Sequence, residues 1–471
     1  MLFNSYVFIF AFFPICIAAW YLFNHFKKYT LGKISLLVSS LIFYAYYNVN
    51  YAFIIISSIL VNYLLSHIMI CGKKQVFRKF AFAVGLLFNI GLIAYYKYAD
   101  FMIDNINVLF KTDLPLMNIL MPLGISFFTF QQLSYVIDSY KKDIPKYSLL
   151  DYSVFVLFYP QLIAGPIVLH DEIIPQISSK TNKSFDFKIF SRGFYLFTLG
   201  LAKKVLVADF LSRFSNFAFD TTSQITSMDA WIGVLAYTFQ IYFDFSGYCD
   251  MASGIANMYG MELPINFNSP YKAVDIIDFW DRWHITLTRF FTRYIYIPLG
   301  GSRKGTVRTY LNILIVFLVS GIWHGAGWNY ILWGLLHGVA NILNKIFKEP
   351  IKKFPIISRI GTFFFISVTW VFFRAKNVSY ALEIIKTMFS FGSFDVSDTI
   401  KGNLSFMPGP WYIIALVWIG IVIYFSMFSK NAFERSKEFT PKLLNGVLTI
   451  ILFVFSVLQL SQVSEFLYFN F

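Results

Sequence analysis

The sequence predicts an all-α, polytopic membrane protein, and two features of its composition plus the layout of its apolar residues carry that prediction. Of the 471 residues, 57% are hydrophobic and only 14% charged, against about 25% charged in an ordinary soluble domain. Aromatic side chains make up 21% of the chain, with 57 Phe, 30 Tyr and 10 Trp, and the mean hydropathy is +0.61. That leaves too little polar surface to coat a body of this size in water. The apolar residues also gather into runs suited to bilayer crossing, which takes about 20 residues per helix. A soluble globular enzyme is excluded, and no room remains for a large soluble domain. Residues 1–471 are expected to form a single integral-membrane domain of about eleven crossings.

The first apolar run, 7–23, has no Lys or Arg before it and is followed by Lys27, Lys28 and Lys33. A secretory signal peptide has the opposite charge order, so this run is expected to remain as an anchor with its N-terminus outside. Lys73, Lys74, Arg78 and Lys79 then mark a cytoplasmic turn, Asp100, Asp104 and Asp113 an external loop, and Lys141, Lys142 and Lys146 a return inside. Further runs fall near 36–47, 53–70, 82–96, 119–136, 152–168, 190–207, 231–245, 313–322, 328–342, 360–373, 411–428 and 443–458. Several are short or broken by Pro and Gly, so some are expected to be re-entrant. No internal repeat is evident, which speaks against a transporter built from duplicated halves. The net charge of +14 comes from 39 Lys and Arg against 25 Asp and Glu. Cations on cytoplasmic loops account for it without a nucleic-acid partner. Cys16, Cys71 and Cys249 are far apart and form no CxxC pair, so no disulfide framework or metal site is expected.

Charges and aromatics separate at helical spacing in FWDRWHITLTRFFTRY, residues 279–294. Trp280, Trp283, Leu287 and Phe291 share one face, while Arg282, Arg289 and Arg293 share the other. One amphipathic helix in the cytoplasmic interface is expected, with His284 turned toward the aromatic face. An interfacial anchor with a satisfied histidine and one wall of a site are both open readings. Arg303, Lys304 and Arg308 extend the basic patch through PLGGSRKGT. A phosphate-bearing donor would be attracted there, although positive-inside topology alone yields the same cations. The loop is no Walker A motif, because Thr306 follows Gly305 where a Lys is required.

In SGIWHGAGWNYILWGLLHG, residues 320–338, His324 is surrounded by Gly321, Gly325 and Gly327. Such glycines permit close helix approach or a helix break, and a histidine at hydrocarbon depth is a functional candidate by default. His337 shares a stripe with Asn329, Trp333 and Asn341, where polar ties between helices are the simpler reading. Gln131, Gln132, Asp138, Gln161, Asp209, Gln240, Asp244 and Asp250 either line a wet cavity or tie helices together. His25, His67 and His170 sit near run ends and are given no special role. His324, without a metal-spaced partner or an adjacent nucleophile, suits general-base work near neutral pH.

At these residues the chain resembles the membrane-bound O-acyltransferase family, and within it the alginate O-acetyltransferase type. The resemblance runs through MPLGISFFTF (121–130), LIAGP (162–166), YFDFSGYCDMASG (242–254), NFNSPY (266–271), FWDRWHITL, YIPLGG, the WHG and WGLLHG pair, and FLYFNF (466–471). It implies packed membrane helices, with re-entrant and interfacial ones, around a central funnel, His324 as the residue that meets the acyl donor, and His284 in a supporting role. Arg282, Arg289, Arg293, Arg303 and Lys304 would then face the donor, and Trp323, Asn329, His337, Asp244 and Asp250 would support the site. Asp281 stands where relatives usually carry a basic residue. The implied reaction moves an acyl group, acetyl from acetyl-CoA, from a cytoplasmic thioester across the cell membrane to a polysaccharide, with no bound cofactor. An extracytoplasmic SGNH-like protein is the implied partner. A teichoic acid D-alanyl transfer protein fed by an acyl carrier protein is the alternative within the family, and a proton-coupled transporter or an export scaffold the alternative outside it.

Overall fold

The computed structural model describes residues 1–141, 144–179, 183–220, 225–348, 353–390, 411–460 and 466–467. Lys142 and the part of FLYFNF after Leu467 lie outside them. The described chain is helical, with no strand among the described residues. In order it runs α1 (Phe13–His25), α2 (Tyr29–Ala45), α3 (Val49–Cys71), α4 (Gln75–Ile93), α5 (Ala99–Phe110), α6 (Ile125–Lys141), α7 (Leu149–Leu157), α8 (Tyr159–Leu162), α9 (His170–Ser178) and α10 (Phe187–Ala202). There follow α11 (Asp209–Asp220), α12 (Ser227–Met258), α13 (Ile276–Arg282), α14 (Ile285–Phe291), α15 (Thr306–His324), α16 (Trp328–Ile346) and α17 (Pro355–Arg374). The last are α18 (Val378–Met388), α19 (Trp411–Phe428), α20 (Ala432–Glu438) and α21 (Leu443–Leu458).

Among the described residues, five stretches are long and apolar enough to cross a bilayer: Phe8–His25, Val49–Cys71, Gln75–Phe110, Thr306–His324 and Pro355–Arg374. A sixth is broken, α19 and α20 meeting at 56°. The apolar helices α2 and α21 are shorter, and the long helix α12 carries Gln240, Asp244 and Asp250 within its apolar sequence.

The chain divides into two compact units. One comprises Met1–Leu201, Tyr248–Pro264 and Ser436–Ser461. Amides and hydroxyls tie its helices where lipid-depth backbone leaves no water to bond. Asn62 of α3 donates to the Gln132 side-chain carbonyl of α6 at 2.9 Å, Asn89 of α4 donates to Asn62 at 2.6 Å, and Gln132 donates to Ser58 at 3.0 Å. Gln161 bonds the Phe155 carbonyl, and His170 Nε2 lies 3.3 Å from Asp138. For these residues the structure favours helix ties over a wet lining.

The other unit comprises Ala202–Gly247, Ile265–Arg435 and Gln462–Phe471. Its frame is the α15–α16 hairpin. The chain leaves α15 at His324 and turns through Gly325, whose backbone is extended, into α16, capped by Gly327. The two helices approach so closely that a Cβ on Gly321 would lie 2.4 Å from the Tyr330 carbonyl oxygen, and one on Gly334 would lie 2.4 Å from that of Phe317. Both glycine readings of this segment therefore hold at once: close approach along the helices and a break just after the histidine. Gly321→Ala or Gly334→Ala is expected to destabilise the fold by about 1–3 kcal/mol through overpacking. Gly361→Ala, where a Cβ would meet nothing within 4 Å, is the matched control in thermal unfolding of the detergent-solubilised protein, and an unchanged midpoint for the first two would refute the close-packed seam.

Candidate functional site

The basic-aromatic stretch is not one helix. Asp275 caps α13 by accepting from the amides of Ile277 and Asp278, and the helix closes at Trp283. His284 then adopts the left-handed region, φ 47° and ψ 49°, and α14 restarts from its carbonyl. A non-glycine residue in that region stores strain that the surroundings must hold. The non-helical segment Asn266–Asn268 supplies the hold. Asn268 N–H donates to the Arg282 carbonyl at 2.9 Å, and Ile285 N–H donates to the Asn266 carbonyl at 3.0 Å, one bond on each side of the break. The expectation of a continuous amphipathic helix is thus corrected: periodicity placed the faces properly, with Trp280, Trp283, Leu287 and Phe291 all buried, but a backbone clamp overrides the local helical preference at His284.

His284 is completely buried. Its Nδ1 lies 3.1 Å from Asn266 Oδ1, which also accepts from the Thr286 hydroxyl at 2.9 Å and the Thr286 amide at 3.3 Å. An acceptor oxygen there fixes the proton on Nδ1, so the Nε2 lone pair is the basic one. Burial pushes the imidazole down to about 3, so it is neutral at physiological pH.

His324, at the end of α15, meets His284 with ring centroids 6.4 Å apart. Trp323, Trp333 and Phe373 surround it at 4.9, 5.0 and 5.2 Å. Phe245 packs edge-on against His284 at 4.9 Å. Two histidines drawn from separate segments therefore share one aromatic enclosure, where water is excluded and any charge that develops is weakly screened.

The remaining candidates sort by contact. His337 is engaged on both ring nitrogens: it accepts from the Trp280 indole at Nδ1, 3.2 Å, and Nε2 bonds the Thr369 hydroxyl of α17, 3.1 Å. Asn329 donates to the carbonyls of Phe372 and Ala375. Both tie α16 to α17 and its end, and Trp333 joins that tie to His324. Arg282 bonds Asp278 at 2.6 Å and the Asn268 carbonyl at 3.3 Å, so it braces the break. Arg289 and Arg293 are half-buried, Arg303 and Lys304 exposed. Asp244, buried on α12, pairs with Lys204 at 2.6 Å. Asp250 belongs to the first unit. Residues that the sequence reading did not single out are Asn266, Phe245, Lys204 and Phe373. Asn266 sat within NFNSPY and Phe245 within YFDFSGYCDMASG, the signals that could have found them.

A cavity of about 230 Å³ lies beside this site. Trp280, Leu287 and Phe291 form one wall, Phe317 and Ser320 another, with Asp281 and Lys345 among its polar groups. Trp280 is 5.8 Å from Trp333, the ring that packs on His324.

Residues 72–382 match the membrane-bound O-acyltransferase family. Over the whole chain the sequence is 38% identical to a "Peptidoglycan O-acetyltransferase" of Helicobacter pylori, covering 98% of that protein. It is 35% identical to a "Probable alginate O-acetylase AlgI" of Pseudomonas putida, with both chains covered completely. A "Teichoic acid D-alanyltransferase" of Bacillus subtilis matches at 24% over 55% of this chain and 70% of its own.

Two outcomes test the contacts. His337→Phe strands the Trp280 indole and removes the bond to the Thr369 hydroxyl, which keeps its own bond to the Ile366 carbonyl, and is expected to lower stability by about 1–3 kcal/mol; a thermal midpoint equal to wild type would dismiss the tie. His284, neutral in the fold but protonated in the unfolded chain below its ordinary value of 6.5, contributes stability that is present above about pH 6.5 and lost as pH falls toward its depressed folded value. Unfolding measured across that range should show an acid limb that flattens in His284→Phe.

Proposed function

The chain belongs to the membrane-bound O-acyltransferase family, and we propose that it moves an acetyl group from a cytoplasmic thioester across the cytoplasmic membrane for O-acetylation of an extracellular or cell-wall polysaccharide. It is a membrane acyltransferase; the donor, direction and acceptor are the proposal. The meeting of His324 and His284 inside one aromatic enclosure is the observation that carries it. In this reading His324 accepts the proton of an acceptor hydroxyl as that oxygen attacks the thioester carbonyl. The C–O bond forms, the C–S bond breaks, and the proton passes from His324 to the departing thiolate. His284, kept neutral and oriented by Asn266, supports His324 from a fixed distance.

Acetyl-CoA is the donor of choice, with Arg289, Arg293, Arg303 and Lys304 attracting its phosphates. The 230 Å³ cavity falls short of the roughly 300–1,000 Å³ of a pocket for a drug-sized ligand and suits a slender acyl-thioester arm. Complete coverage of acetyl-transferring relatives supports acetyl over D-alanyl, since the D-alanyl relative aligns with 55% of the chain. An extracytoplasmic SGNH-like protein would complete the ester on the sugar.

The test is transfer of radiolabelled acetyl from acetyl-CoA in membranes containing the protein and its acceptor. Removing a general base costs about 10²–10⁴-fold, so His324→Ala is expected to lose transfer by that factor at matched expression, and His284→Ala by less. Normal transfer by His324→Ala would remove it from the mechanism, and label arriving only from an acyl carrier protein would move the assignment to the D-alanyl type.

A further inference from the structure

Lys204 is a buried cation that the reaction above does not use. It sits in a π-helical turn, Lys203–Ala208, with side-chain exposure of 1%. Asp209 and Asp244 hold it at 2.8 and 2.6 Å. Buried ions persist where their lone pairs and protons are met, and the segment Phe466–Leu467 contributes to that here. Leu467 N–H donates to the second oxygen of Asp244 at 3.0 Å, and the Phe466 ring, itself 1% exposed, lies 4.7 Å from Lys204 Nζ. A cation over an aromatic face and an amide at a carboxylate are both worth more where water is excluded.

The node also touches the site. Asp244 directly precedes Phe245, whose ring packs 4.9 Å from His284 and 5.0 Å from Phe267. Beside it, Lys203 reaches Ser246 at 3.5 Å. Whatever grips Asp244 therefore grips the turn of α12 that forms the wall behind His284.

We propose that Lys204, Asp209 and Asp244 form a dock for the Phe466–Leu467 segment, and that Phe466 is a positioning residue acting through Asp244 and Phe245 on His284. The docking half stands on geometry alone; the positioning half rests on the acyl-transfer reading.

The two halves are tested separately, in the full-length protein. In a background with the native cysteines replaced, Leu467→Cys retains its backbone N–H and reports docking through its rate of maleimide labelling. The labelling should accelerate by about tenfold or more, the signature of local release, when Lys204→Met or Phe466→Leu is added. Phe466→Leu keeps the side chain apolar and serves if Lys204→Met does not fold. Equal rates overturn the dock. For positioning, small displacements of catalytic groups cost up to about 100-fold, so Phe466→Leu should lower kcat by at least about tenfold, with donor KM unchanged and at a temperature where the variant stays fully folded, while Phe466→Trp, a better cation–π partner, retains it. Full kcat in Phe466→Leu, or a loss carried by KM or stability, overturns the positioning role. A wild-type protein that transfers nothing defeats the acyl-transfer reading and leaves the labelling result to decide the dock.

Discussion

The helical interior of this protein depends on one constraint: a polar group carried into it must find its partner there, because neither lipid nor packed aromatics will supply one. In the first unit the constraint produces amide ties, Asn62 to Gln132 and to Asn89, that specify which helices touch. In the second it produces the site. Asn266 Oδ1 accepts from His284 and Thr286 and so fixes a tautomer as well as a turn. His337 spends both nitrogens on neighbours and holds Trp333 against His324. The same rule that builds the fold thus sets His337, bonded on both nitrogens to its neighbours, apart from His284, whose Nδ1 is fixed by a side-chain amide.

Strain at His284 has the same origin. A left-handed residue between two seven-residue helices would straighten if left to local preference, since each helix is too short to persist alone. The break lasts because the Asn266–Asn268 backbone bonds it on both sides and Asn431, distant in sequence, bonds the Asn268 side chain and Ser269. The histidine is oriented by the Asn266 side chain, 18 residues earlier in sequence, and its turn is held by backbone bonds from Asn266 and Asn268.

Much of this was legible beforehand. Composition and apolar runs gave the all-helical membrane class, and the buried side of residues 280–291 followed from spacing alone. His324 stood out because glycines flank a costly residue at hydrocarbon depth. The break at His284 was not legible, because it is imposed by a segment distant in sequence, and helical periodicity survives a one-residue interruption when the faces on either side still match. Lys204 was hidden for a related reason: in sequence it is one of two adjacent lysines at the end of an apolar run, indistinguishable from a topology signal, and only tertiary structure pairs it with Asp209 and Asp244. Arg282 shows the converse, a cation with the right pattern for a donor site that is spent on Asp278 and a carbonyl.

The α15–α16 hairpin has a mechanical corollary. Because Gly321 and Gly334 bring backbone against backbone, the two helices are joined by surfaces without rotamers to rearrange. A bilayer that thickens or thins makes its spanning helices tilt, and a seam of this kind obliges the pair to tilt as one lever. His324 stands at the lever's corner. Its distance to Trp333, on the facing helix, is then indifferent to bilayer thickness, and the imidazole carries its own reference frame as the lipid around it changes.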